Sequence, residues 1–142
     1  MAEIEIKELT KFYGAKKALS AVSFEVGQGE IFGYLGPNGA GKTTTINCMM
    51  DFIKPTSGKI LINNLDANLQ STALKSLIGF ISSDVSLYDN WTGSDHLKLQ
   101  ESIRGRSRIL KRLIKDFQFD PRITVRKLST GNRQKLSVIM AL

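Results

Sequence analysis

Cysteine is all but missing from this chain. Cys48 stands alone among 142 residues, so no intrachain disulfide can form. A lone thiol fits a reducing compartment, and Cys48 reads as a small core residue, not a reactive thiol. Long apolar runs are also missing. None approaches the roughly 20 residues that a membrane-crossing helix needs. The first residues, Met1-Ala2-Glu3-Ile4-Glu5, are acidic where a secretory leader would be basic and then apolar. No internal repeat or low-complexity segment interrupts the pattern. Arginine is absent from residues 1–100, which carry nine lysines against ten carboxylates, a net charge of −1.

What is present is ordinary for a globular domain: 42% apolar and 23% charged residues, in a chain long enough to bury one core. Charge is unevenly placed. Residues 101–142 carry eleven lysines and arginines against three carboxylates, a net +8. A basic end is compatible with nucleic acid or an anionic membrane surface. No aromatic residues interleave with the cations as a single-strand binder requires, so a solvated basic face is the simpler reading and nucleic acid an unlikely partner.

One stretch organises the chain: Gly36-Pro37-Asn38-Gly39-Ala40-Gly41-Lys42-Thr43-Thr44. It fits the phosphate-loop pattern of Gly, four residues and Gly-Lys-Thr. Glu30 to Leu35 before it reads as a buried strand, and Thr43 to Asp51 after it as a helix. Gly36, Gly39 and Gly41 allow backbone conformations closed to other residues. Several N–H groups can then face one anion, joined by the N-terminus of the helix opening near Gly41. Lys42 supplies a full charge for terminal phosphates, and the Thr43 hydroxyl is placed to ligate Mg²⁺.

Around this loop, Glu3–Glu8 and Val22–Val26 alternate as strands. Gly27-Gln28-Gly29 predicts a tight turn pairing the second strand with residues 30–35 as a hairpin. The helix from Gly41 is expected to end near Phe52. Pro55-Thr56-Ser57-Gly58 is a turn, residues 59–63 a strand, residues 69–77 a short helix and residues 78–81 a buried strand. After Asp84 the character becomes helical. Ser94 is the expected cap of a helix reaching Arg104. Residues 107–117 form a second helix with apolar and basic faces, and Ser129 caps a last helix. Residues 1–83 thus read as a β subdomain plus phosphate-loop core, and residues 84–142 as a helical lobe, together one domain of the α/β class.

Two distant motifs converge on one family. The phosphate loop and Leu128-Ser129-Thr130-Gly131-Asn132-Arg133-Gln134 together resemble the nucleotide-binding subunit of ATP-binding-cassette (ABC) transporters, whose signature is Leu-Ser-Gly-Gly-Gln. Lys11-Phe12-Tyr13-Gly14 and Pro55-Thr56-Ser57-Gly58 stand where similar segments stand in that family. The likeness runs from about Ile4 to Leu142 and is greatest to bacterial drug or antibiotic exporters. It implies a P-loop NTPase fold with an N-terminal antiparallel β subdomain, a helical lobe and an incomplete core sheet. ATP and Mg²⁺ are the implied cofactors. Tyr13 matches the aromatic that stacks on adenine. Ser129 and Gly131 match residues that contact ATP held by a second nucleotide-binding subunit, with Thr130 and Asn132 beside them. A transmembrane permease is the other implied partner, and the implied location is cytoplasmic, on the inner face of the membrane.

The likeness has departures. Thr130 replaces a usual Gly, and Asn132 a usual Gln. Where the family carries a Gln that helps hold Mg²⁺, this chain has Ser83 followed by Asp84, the remaining metal candidates. His96 is not the family's switch histidine and reads as an ordinary lobe residue. The family's Asp-Glu strand and switch histidine come later than Leu142, so these 142 residues are expected to bind ATP and to hydrolyse it poorly or not at all. The alternative is a non-catalytic remnant, or an ATP-binding or dimerising module.

Overall fold

A computed structural model describes residues 2–82 and 86–142. The chain divides into two units, Met1–Leu77 and Ile78–Leu142. In the first, β1 (Ala2–Tyr13) and β2 (Lys16–Gly27) form an antiparallel hairpin that turns at Gly14, with φ +58°. β3 (Ser57–Ile62) pairs with the other side of β1, and β4 (Leu65–Asp66) with β3. The order is β2-β1-β3-β4, antiparallel throughout. α1 (Lys42–Met49) follows the phosphate loop, and α2 (Ser71–Leu77) follows β4.

Ile6 and Leu9 are both buried although three residues apart, a spacing that should put them on opposite faces of a regular strand. The register shifts between them, and Glu8 adopts φ +47°. This bulge restores Leu9 to the core face. The Glu8 N–H, displaced from the ladder, donates to Ser23 Oγ at 2.8 Å. Opposite the bulge, Gly58 (φ +95°) lies so near the Glu8 carbonyl that a Cβ would sit 2.5 Å from its oxygen. Burying Ile6, Leu9 and Ile60 stabilises this unit by about 1.5–3 kcal/mol each.

In the second unit, α3 (Gly93–Arg104), α4 (Leu110–Asp116) and α5 (Thr130–Ala141) surround a core of Leu97, Phe119, Val125, Leu128, Leu136 and Ile139, with a 3-10 turn at Val125–Lys127. The cap of α3 is Thr92, not Ser94. Its Oγ1 accepts from Asp95 N at 3.2 Å, and the Asp95 carboxylate accepts from Thr92 N at 2.9 Å, a reciprocal capping box. Ser94 had the right chemistry, but the reciprocal acid three residues on belongs to Thr92.

Two expected strands are not formed. Residues 30–35 run irregularly, with Ile31 99% and Leu35 89% exposed. β2 pairs instead with β1, whose alternation matches it in register: Ile4 with Val26 and Ile6 with Phe24. Among the described residues no strand lies beside residues 30–35 or 78–81, and a strand without a partner leaves its backbone groups unpaired. Phe32 and Tyr34 still use their alternation: Phe32 stacks on Phe24 at 4.9 Å between centroids, and Tyr34 packs tilted on the same ring at 5.2 Å. α1 ends before Phe52. Phe52 N donates to Asn47 O and Asp51 N to Cys48 O, with Asp51 left-handed at φ +53°, a helix stop usually built on glycine. α4 begins at Leu110, not Ser107, and no side chain caps it.

Candidate functional site

The site is built where the phosphate loop meets the β1–β2 hairpin. Gly39 (φ +84°) and Gly41 (φ +88°) are left-handed, and Gly41 is the N-cap of α1 without any side-chain cap. A Cβ on Gly41 would fall 2.4 Å from Leu19 Cδ2 and 2.7 Å from the Ala18 carbonyl oxygen. The bare glycine therefore lets β2 seat directly against the loop. Ala40 N donates to Pro37 O at 3.2 Å, and the first helical bond runs from Thr45 N to Gly41 O at 2.8 Å. Among the described residues, no backbone acceptor takes the N–H groups of Lys42, Thr43 or Thr44. Lys42 Nζ donates to Gly36 O at 2.6 Å and Pro37 O at 2.8 Å, so the ammonium is held over the loop by two neutral carbonyls.

A cleft of about 340 Å³ opens here. Tyr13, Asn38, Gly39, Gly41, Lys42, Thr43 and Thr44 line it, so seven of the expected residues meet in one place. Gly36 and Pro37 support Lys42 from behind through their carbonyls, and Ala40 packs on Gly36, whose Cβ would lie 3.2 Å from that of Ala40. The sequence reading missed Lys16, Lys17 and Ala18, which complete the lining. Their signal was present: a lysine pair three and four residues after Tyr13, at a hairpin turn that brings it back beside the aromatic. Lysines are the only charged residues in this lining, which favours a polyanion. The Tyr13 ring is 48% exposed, with Lys11 Nζ 5.3 Å from its centroid.

The signature residues belong to the second unit. Ser129 caps α5 by accepting from Asn132 N at 3.3 Å. Ser129, Thr130 and Gly131 are exposed, and Asn132 is half-buried. A Cβ on Gly131 would meet nothing within 4 Å, so the space beside this residue is open. Arg133 is held by Asp89 at 2.8 Å.

Two lone residues are structural. His96 is buried. Its Nε2 accepts from Tyr88 N at 3.0 Å, which leaves Nδ1–H to donate to Thr92 O at 2.9 Å and fixes a neutral tautomer. Cys48 is fully buried, and burial pushes its thiol above the usual range. Ser83 and Asp84 lie outside the described residues. Among those described, no group of three or more His, Cys, Asp or Glu could hold a metal ion.

Residues 19–142 match the family model described as "ABC transporter". The chain belongs to the ABC transporter family. It is 42% identical over 102 residues to the Escherichia coli protein named "Probable multidrug ABC transporter ATP-binding protein YbhF", a match covering 72% of this chain and 18% of that protein. It is 34% identical over 143 residues to the bacitracin transport ATP-binding protein BcrA of Bacillus licheniformis, covering 98% of this chain and 47% of the relative. A dimeric ATP-binding cassette solved in a post-hydrolysis state with ADP and Pi superposes with a TM-score of 0.80 at 25% identity, over 98% of this chain and 68% of that one. The chain thus spans less than half the length of these two curated relatives. Its fold is that of an ABC cassette: an antiparallel β subdomain, a phosphate loop with its helix, and a helical lobe.

Proposed function

We propose that this chain is the MgATP-binding part of an ABC-type transport ATPase that serves a drug or antibiotic exporter. One observation carries the reading. The Lys42 ammonium and the uncapped N-terminus of α1 share a cleft whose charged lining residues are all lysines, with an aromatic ring in the same lining.

The residues fit the ligand. A glycine cradle that a Cβ would fill, helix N–H groups without protein acceptors, and a poised ammonium together suit a chain of phosphates. Lys42 exchanges its two bonds to neutral carbonyls for bonds to phosphate oxygens, in which both partners are charged. Thr43 offers its exposed hydroxyl to Mg²⁺, which shields the phosphate charge when bound. Tyr13 offers a π-face to adenine. Ser129, Thr130, Gly131 and Asn132 are proposed to face ATP held by a second nucleotide-binding subunit. The dimeric cassette with ADP and Pi supports that arrangement. The relatives named for multidrug and bacitracin transport support a role in drug or antibiotic transport, and export with a transmembrane permease partner is proposed with it. No helix among the described residues is long and apolar enough to cross a membrane, and a peripheral place on the inner membrane face is proposed.

The test is calorimetric titration of the chain with ATP, with and without Mg²⁺, beside Lys42→Ala, with phosphate release followed in the same samples. Loss of charge-assisted bonds worth about 1.5–3 kcal/mol lowers affinity by roughly one to two orders of magnitude. Equal affinity in the two proteins overturns the assignment of Lys42. Phosphate release separates binding from turnover.

A further inference from the structure

The helical lobe carries a second cationic surface that nucleotide binding does not use. From residue 103 to 115 the sequence reads Ile-Arg-Gly-Arg-Ser-Arg-Ile-Leu-Lys-Arg-Leu-Ile-Lys, with no carboxylate and no aromatic residue. α3 stops at Gly105, whose φ of +86° favours glycine, and the chain crosses to α4 through Arg106, Ser107 and Arg108, all exposed. α4 turns Leu110, Leu113 and Ile114 onto the core of its unit, joined by Phe117 at its C-cap. Its remaining face carries Lys111, Arg112, Lys115 and Asp116, also exposed.

Three features set this surface apart from ordinary solvated charge. The first is a run of like charge with little neutralisation. Arg112 pairs with Asp116 at 3.3 Å and Arg104 donates to Ile78 O at 2.7 Å, but among the described residues Arg106, Arg108, Lys111 and Lys115 have no ion-pair partner. The second is self-repulsion. Lys111 and Lys115 sit four apart on one helix, a spacing at which like charges destabilise unless an anion is near. The third is apolar exposure within the cations: Ile103 is 75% and Ile109 46% exposed, one on each side of the crossing. Cations around exposed aliphatic side chains match a bilayer surface, where anionic headgroups and acyl boundary lie within a few ångströms of each other. A nucleic acid would match the charge but not the isoleucines, and no aromatic platform is present for its bases.

We propose that the segment from Ile103 to Lys115 is a docking surface for an anionic lipid bilayer, with Arg106, Arg108 and Lys111 on headgroups and Ile103 and Ile109 in the interface. It requires no nucleotide and is independent of the function proposed above. Lys42→Ala should bind membrane like the unaltered chain, so the two proposals can fail separately.

The experiment is cosedimentation of the chain with vesicles of phosphatidylcholine alone and of phosphatidylcholine with about one third phosphatidylserine. Partitioning should favour the anionic vesicles and fall steeply when salt rises from about 0.1 to about 0.5 M. Each cation at such a surface contributes roughly fivefold, so Arg106→Glu with Arg108→Glu and Lys111→Glu should lower partitioning by about a hundredfold or more. Ile103→Ser with Ile109→Ser should lower it by about tenfold. Arg106→Lys with Arg108→Lys keeps the charge and should leave it nearly unchanged. Equal partitioning on the two vesicle types overturns the proposal. So does a folded triple-glutamate protein that still binds. Tighter binding to a DNA or RNA oligonucleotide at the same salt also overturns it, since the surface would then be a nucleic-acid site. Should the triple variant unfold by circular dichroism, the salt series and the lysine exchange decide.

Discussion

Gly41→Ala tests whether the phosphate loop and the β1–β2 hairpin form one packed structure. Two separate costs are expected at Gly41. Its φ of +88° is left-handed, which costs an L-residue roughly 1–2 kcal/mol. Its Cβ would also stand 2.4 Å from Leu19 Cδ2 and 2.7 Å from the Ala18 carbonyl oxygen. Leu19 is 3% exposed and Ala18 presents backbone, so neither can move without disturbing β2. Overpacking of this kind adds about 1–3 kcal/mol. Gly39 supplies the control. Its φ is +84°, but a Cβ there meets nothing within 4 Å. Gly39→Ala should therefore carry the backbone cost alone, and the two variants should differ by about 1–3 kcal/mol.

The assay is native-state hydrogen exchange on the amides of β1 and β2, which reports opening of that unit separately from the helical lobe. Leu19→Ala combined with Gly41→Ala should cost less than the sum of the single changes, because removing the isobutyl group relieves part of the clash. If Gly39→Ala and Gly41→Ala open the hairpin equally, and the double variant is additive, then β2 does not seat on the loop. The cleft would then lose its Lys16–Lys17 side.

Three further outcomes follow from other parts of the fold. Tyr13→Phe should bind ATP nearly as the unaltered chain, and Tyr13→Ala several-fold more weakly, as read by the same calorimetry; equal binding by all three would remove the ring from the site. Thr92→Ala should destabilise the helical lobe by about 0.5–2 kcal/mol in urea unfolding followed by Trp91 fluorescence, while Ser94→Ala stays within about half a kcal/mol, because only Thr92 makes the reciprocal bonds. At Asp120, the Arg122 guanidinium and the Arg122 N–H hold the carboxyl down to about 2. Since the folded value lies below the unfolded one, the contribution is complete above the unfolded value and is lost as pH falls through about 2. Carboxyl titration by NMR should show that low midpoint and a rise toward the normal range in Arg122→Gln; an unchanged midpoint would refute the pairing.

Which parts of this structure could be read in advance follows from how local each determinant is. The phosphate loop is legible because its chemistry is covalent spacing: three glycines and a lysine within nine residues decide backbone freedom and charge before any tertiary contact forms. The α5 cap at Ser129 is legible for the same reason. Tyr13 could be placed only through the family likeness, and its neighbours Lys16 and Lys17 only by a hairpin whose register pairs Tyr13 with Lys16. Val22, Phe24 and Val26 alternate equally well for either neighbour, so the sequence pairs this strand with residues 30–35 where the structure pairs it with β1. Alternation states which face of a strand is apolar; it does not state which strand lies alongside. Residues 30–35 show the limit most plainly. Phe32 and Tyr34 behave as alternation requires and pack on Phe24, while Ile31, on the opposite parity, is 99% exposed and bonded into no ladder. The side-chain pattern of a strand can therefore exist without the strand, since the pattern belongs to the segment and the hydrogen bonds belong to a pair.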